Sequence, residues 1–229
     1  MTDAADLEAL RLSDSALPVG TDSVSYGLEQ FVATDRVTDA ADLRALIETY
    51  LRRQLGPCDL VALRAAHRGA RDGDIDAVVA ADARFEAATL PAEFRESATR
   101  TGGRLLDLHR ELREDSFLES YADAVEAGDA VASHPVVLGV VAARAGVAER
   151  RACLIACQEF ATTLVGAAQR LLSLGHTDAQ RILRDSQAAM TAAVDESADR
   201  SLAAMTPFAP LVDVLAADHE TADRRLFVS

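Results

Sequence analysis

The sequence predicts an all-α fold, a single-domain helical bundle of about ten helices, on three observations. Its apolar content is dominated by Ala, Leu and Val, with aromatics at only 4%, and Ala and Leu are strong helix formers. Helical periodicity recurs almost everywhere, and no stretch alternates apolar and polar residues with the β-branched and aromatic richness of strands. No Gly-, Ser- or Pro-rich linker divides the 229 residues, no repeat is visible, and a 49% hydrophobic share is ample for one core.

The first helix is expected over Asp3 to Ser13, ending at the turn LPVG, where Pro18 and Gly20 break any helix. A second is expected from Asp22 to Thr34. The third follows the caps Thr38 and Asp39, places Leu43, Leu46, Ile47, Tyr50 and Leu51 on one face, and ends at Gly56 and Pro57. Two more run from Asp59 to Ala70 and Asp74 to Ala88. Pro91 suits the first position of a long helix reaching Leu112. Ser116 with Glu119 forms a capping box for a helix to Ala127, and Pro135 opens an apolar helix ending near Gly146. The strongest pattern spans Glu149 to Ser173, with Cys153, Cys157, Leu164, Ala168 and Leu171 on one face. Thr177 and Gln180 form a second capping box, starting a helix expected to reach Met205. Pro207 and Pro210 then impose an extended stretch before a short final helical segment.

Acidic residues outnumber basic ones 37 to 23, giving a formal charge of -14 and a pI near 4.7. Every basic side chain other than His is Arg, Lys is absent, and Asp outnumbers Glu. This pattern fits a salt-adapted host, where screening removes self-repulsion, and a GC-biased genome would also replace Lys by Arg. An acidic surface argues against nucleic acid as a partner, because sequence-independent binding neutralises phosphates. The start lacks a basic region followed by an apolar stretch, and the longest apolar run, Val136 to Ala143, is too short to span a bilayer. No membrane partner and a cytoplasmic location are therefore expected. Without Lys the chain cannot carry a Walker-type phosphate loop, a Schiff-base Lys or a metal site bridged by a modified Lys.

Cys58, Cys153 and Cys157 are too few for a disulfide framework and read as reduced thiols. Cys153 and Cys157 stand one helical turn apart, a spacing that could hold a metal, but their apolar flanks favour packing. His67, His109, His134, His176 and His219 are scattered without ligand spacing. No H-E-x-x-H, G-x-S-x-G or C-x-x-C pattern appears, so no catalytic residue is assigned and the chain is not expected to be an enzyme.

The segment RLSDSALPVGTDSVSYGLEQF is the most informative. Asp14 and Ser15 can close its turn, Pro18 and Gly20 fix it, and Gly27 allows close helix approach. LSDSALPVG followed by SYGLE resembles the N-terminal signature of the urease accessory protein family UreF, through Asp14, Ser15, Leu17, Pro18, Gly20, Ser25, Gly27, Leu28 and Glu29. RTGGRLL at Arg100 to Leu106, His134 with Pro135 to Gly139, and AAQRLLSLGHTDAQRIL at Ala167 to Leu183 are similar to further family blocks. So is the end, DHETADRRLFVS, through His219, Glu220, Arg225, Leu226, Phe227 and Ser229. Asp22, Ser173 and His176 depart from the family pattern, which usually has an aromatic, a Pro and a Gln there.

The resemblance implies an all-α, dimeric accessory protein that helps to install nickel in urease. It would bind UreD, also called UreH, recruit the GTPase UreG to apo-urease and modulate GTP hydrolysis. No cofactor would be stably bound, nickel being handled by the complex and GTP by the partner. Residues 1–229 would form one UreF-like domain, with 206–229 a partner-binding tail. Partner contacts are expected at Asp14, Ser15, Pro18, Gly20, Ser25, Glu29, Arg170, His219, Glu220, Arg225, Leu226 and Phe227. Leu226 and Phe227 between arginines and the chain end suit ordering on UreD, and Glu29 and Arg170 suit the GTPase side. The alternative is a helical nickel-binding metallochaperone using Cys153, Cys157 or the histidines.

Overall fold

In the computed structural model, residues 2–20 and 25–220 are described, with side chains to residue 215, and these residues contain helices, turns and loops but no strand. The all-α expectation holds. Helix α1 (Asp3–Leu12) is capped by the Thr2 hydroxyl, which accepts from the Ala5 amide. The second helix is shorter than expected. Tyr26 (φ 49°) and Gly27 (φ 73°) turn the chain through the left-handed region, so α2 spans only Leu28–Ala33.

Helix α3 (Ala40–Tyr50) is capped by the Asp39 carboxylate, which accepts from the Ala41 and Asp42 amides. Contrary to expectation, Gly56 and Pro57 do not end this helix. It continues through a π-helical stretch, Leu51–Asp59, directly into α4 (Leu60–Asp72). In an α-helix the Arg53 carbonyl would need an amide proton from residue 57, which proline lacks. Here Phe208 N–H donates to Arg53 O at 3.0 Å and Thr206 N–H to Pro57 O at 3.3 Å. The widened turn is thus completed by the extended 206–208 segment.

Gly73, left-handed at φ 77°, ends α4 and leads to α5 (Ile75–Ala88). Helix α6 (Ala92–Leu112) follows, then α7 (Ser116–Glu126). The capping box expected at α7 is replaced: Asp115 caps it through Phe117 N–H, while Glu119 pairs with Arg110. Helices α8 (His134–Arg144) and α9 (Glu149–Leu171) fall close to expectation. The single helix expected from Thr177 to Met205 is instead α10 (His176–Asp185) and α11 (Gln187–Glu196), separated at fully buried Ser186, followed by a 3₁₀ turn at Leu202–Ala204. No side chain caps α10, so Thr177 does not act as expected. Helix α12 (Pro210–Glu220) closes the described chain.

The core centres on α4 and α8. Pro135 through Ala142 are buried without interruption. Gly139 permits this approach, since a Cβ there would fall 2.4 Å from the Leu63 carbonyl oxygen of α4. Arg64 of α4, 5% exposed, donates to Ser197 Oγ and Val194 O and pairs with Glu149. Arg68 adds two further bonds to the same carboxylate, so one ionic cluster ties α4 to α9 and the end of α11. A buried charge with this many partners is satisfied rather than stranded.

Candidate functional site

The signature turn is built from buried anchors that leave its polar residues outside. Leu12, Val19 and Leu28 are 0%, 1% and 0% exposed and pin the segment to the core. Between them, Asp14 Oδ1 accepts from Ala16 N–H at 2.9 Å, and Leu17 N–H donates to Asp14 O at 3.1 Å. Asp14, Ser15 and Pro18 are exposed. Gly20 has φ +83°, a conformation that favours glycine, and a Cβ there would displace the end of the flexible Arg104 side chain, whose Nη1 would lie 2.1 Å away.

This turn faces α9 across a groove of about 200 Å³ lined by Asp14, Ser15, Leu17, Glu159, Gly166 and Arg170, among others. Three of the expected contact residues, Asp14, Ser15 and Arg170, therefore come together from distant parts of the chain. Gly166 leaves the groove open, with nothing within 4 Å of where its Cβ would be. Glu29 stands apart in the first turn of α2. Ser25 is 0% exposed and does not line the groove. His219 and Glu220 end α12, their side chains not described, and Arg225, Leu226, Phe227 and the departure at Asp22 lie outside the described residues. The departure at His176 is used locally, its Nδ1 3.1 Å from Gln169 Nε2.

Beside the groove lies a cavity of about 40 Å³, mostly apolar but with several polar side chains in its walls. Its walls include Tyr26, Asp59, His134, Glu159, Phe160 and Thr163, so Glu159 and Thr163 serve both spaces. Four aromatics pack together here. The Tyr26 ring packs edge-on to Phe94 at 5.9 Å and tilted on Phe160 at 4.9 Å, with Tyr50 5.2 Å from Phe160. Tyr50 donates its hydroxyl proton to the Tyr26 carbonyl, holding the strained residue that starts the second half of the signature.

Asp59 Oδ2, His134 Nε2 and Glu159 Oε2 are all sealed from bulk solvent and have no protein hydrogen-bond partner. His134 Nε2 and Glu159 Oε2 are 3.8 Å apart. Burial pushes the Asp59 carboxyl up to about 7 and that of Glu159 up to about 8, and drives the His134 imidazole down to about 4. At neutral pH the imidazole is uncharged and Glu159 is mostly protonated.

A second buried carboxylate fixes where His134 sits. Asp82, 0% exposed, accepts from Tyr121 Oη and from the amides of Val131, Ala132 and Ser133 at 2.8–3.0 Å. The loop it grips includes Ala132 at φ 57° and leads directly into α8. Gly102 of α6 closes on the same loop, since a Cβ there would be 2.0 Å from Ala132 O.

None of Asp59, Asp82 or Glu159 stood out in the sequence. Asp59 reads only as the first residue of an expected helix, and Asp82 and Glu159 only as members of the helices expected over Asp74 to Ala88 and Glu149 to Ser173. Among the described residues, no three His, Cys, Asp or Glu side chains gather in a way that could hold a metal ion. Burial raises the Cys153 and Cys157 thiols to about 12 and Cys58 higher still, which supports packing over thiolate ligation. No helix among the described residues is long and apolar enough to cross a membrane.

The family model described as UreF matches residues 37–187. The chain is similar to "Urease accessory protein UreF 1" of Brucella melitensis, 34% identical over 97% of this chain and 92% of the relative. It is 31% identical to "Urease accessory protein UreF" of Trichodesmium erythraeum over 97% and 96% of the two chains. The Yersinia pseudotuberculosis protein of the same description is 32% identical over 98% of both.

Proposed function

The chain belongs to the UreF family of urease accessory proteins, and from that premise we propose that it links UreD to the GTPase UreG on apo-urease during nickel incorporation. It is an accessory protein and not itself an enzyme. In this reading it modulates GTP hydrolysis carried out by UreG, binds no cofactor stably, and works in the cytoplasm as a homodimer. The composition, with its absence of Lys and charge of -14, supports a salt-adapted host.

The observation that carries the reading is the groove that brings exposed Asp14 and Ser15 of the signature turn against Arg170 of α9. A surface assembled from two separated family blocks, with its turn locked from beneath by Leu12, Val19 and Leu28, is suited to holding a partner in fixed register. Arg170→Ala is expected to lower urease activation in cells and weaken UreG capture while leaving the melting temperature unchanged. A parallel fall in melting temperature would assign Arg170 to the fold instead. Deleting residues 219–229 should leave the helical fold intact and abolish UreD pull-down, and a full-strength complex would refute the tail's assignment.

A further inference from the structure

We propose that Asp59, His134 and Glu159 form one hydrated, proton-sharing site whose retained protons keep Tyr26 and the signature turn docked, and whose deprotonation loosens them. Three sealed polar atoms without protein partners line a single cavity. Orphaned groups of this kind are costly unless water or a proton satisfies them. A volume of about 40 Å³ accommodates a few waters, each needing roughly 10–15 Å³ and two or more polar partners. Among the described residues no Arg lines the cavity, so none of them places a cation beside either acid there. Glu159 Oε2 and His134 Nε2 lie 3.8 Å apart, so a small side-chain shift lets the protonated acid donate to the neutral imidazole.

Among the described residues, the other charged groups on the packed elements do not line that space: on α6, Arg100 keeps a sealed Nη2 without a hydrogen-bond partner and Arg104 reaches Gly20. On α9, Arg170 lies in the adjoining groove with Asp14 of the turn, and the Cys157 thiol is held neutral by burial. On α4, Arg64 is committed to Glu149 and Val194 O. On α5, Arg84 donates to Leu202 O and Met205 O. Tyr50 of α3 is raised by burial, then by Tyr26 and by Asp213 of α12. Tyr26 is the sensor: burial raises its hydroxyl, and the charges of Asp59 and Glu159 raise it further. Ionising the two acids would place uncompensated charge beside its ring and draw water under it.

The sign follows from the shifts. Each acid has a folded value above its ordinary one, 3.8 for Asp59 and 4.5 for Glu159, so its contribution is lost as pH rises toward about 7 and about 8. His134, lowered from 6.5 to about 4, works oppositely between those values and is silent above them. From pH 7 to 8 Glu159 contributes most, its linkage raising the unfolding constant about fivefold, and Asp59 adds about twofold.

The test is chemical denaturation of the full chain from pH 6 to 9, for wild type and Glu159→Gln, which mimics the protonated acid. The wild type should show about a fivefold greater rise in unfolding constant between pH 7 and 8 than the variant, levelling above 8. Exchange of the amides from Gly27 to Phe31, corrected for intrinsic rate, should accelerate above pH 8 in wild type and not in the variant. Parallel pH profiles, or exchange that ignores pH, would overturn the proposal. Should the variant not fold, infrared titration of wild type decides: a protonated-carboxyl stretch persisting at pH 6.5 and lost by pH 9 supports it, and its absence at pH 6.5 overturns it.

Discussion

Asp82→Ala offers the most quantitative check on how the fold positions the cavity. The substitution removes the acceptor for four donors, Tyr121 Oη and the amides of Val131, Ala132 and Ser133. Val131 is partly exposed and can turn to water, whereas Tyr121, Ala132 and Ser133 are 0%, 1% and 2% exposed and cannot. Stranding a sealed donor costs about 1–3 kcal/mol, so three should cost about 4 kcal/mol after partial relaxation. For a chain of this size that corresponds to a melting temperature lower by roughly 8–16 °C. Asp82→Asn gives a graded comparison. Its amide oxygen can replace the Oδ2 that serves Tyr121, Val131 and Ala132, but its NH₂ then faces the Ser133 amide, for a loss of about 1–2 kcal/mol. Urea titration followed by far-UV circular dichroism reads both variants. A loss below about 1 kcal/mol for Asp82→Ala, less than one stranded donor, would refute the clamp and the positioning of His134 it implies.

Three other perturbations address separate features. Glu149→Ala leaves Arg64 buried without its carboxylate and should cost about 3 kcal/mol by denaturant titration. Burial tends to raise the Glu149 carboxyl, but bonds from Arg68 and Arg64 outweigh it and hold the group low. Its contribution is therefore present above the ordinary value of 4.5 and lost as pH falls through the lower folded value; a Glu149→Gln variant should lose that acid sensitivity. Gly166→Ala should stabilise α9 by about 1 kcal/mol, since space is open there. Gly166→Leu should fill the groove and reduce UreG capture with the fold intact. Raising KCl should raise the denaturation midpoint, because screening relieves the self-repulsion of a -14 chain; a flat or falling salt profile would remove the support for salt adaptation.

Much of the helical framework was legible because its signals are local. The Asp39 cap and the buried face of α3 follow directly from the sequence pattern. Where distant groups complete the backbone, local reading failed. Pro57 reads as a helix breaker until Phe208 supplies the amide that Arg53 O lacks. The start of α2 moved to Leu28 because Tyr26 is held at positive φ by tertiary packing, which no propensity encodes. The groove was half visible: Asp14, Ser15 and Arg170 stood out as members of separate blocks, but only the fold juxtaposes them. The cavity was invisible. Asp59, His134 and Glu159 sit on the π-helical stretch, α8 and α9, and their chemistry arises only from shared burial in a space that no Arg among the described residues lines.

The central claim, that this chain helps to assemble active urease, is tested most directly by measuring nickel per urease active site in cells producing the urease subunits with UreD and UreG, with and without this chain. The account predicts that nickel content and urease activity collapse without it and return with the full-length chain, together with a complex retaining UreD and UreG. Fully nickel-loaded urease in its absence would contradict the account.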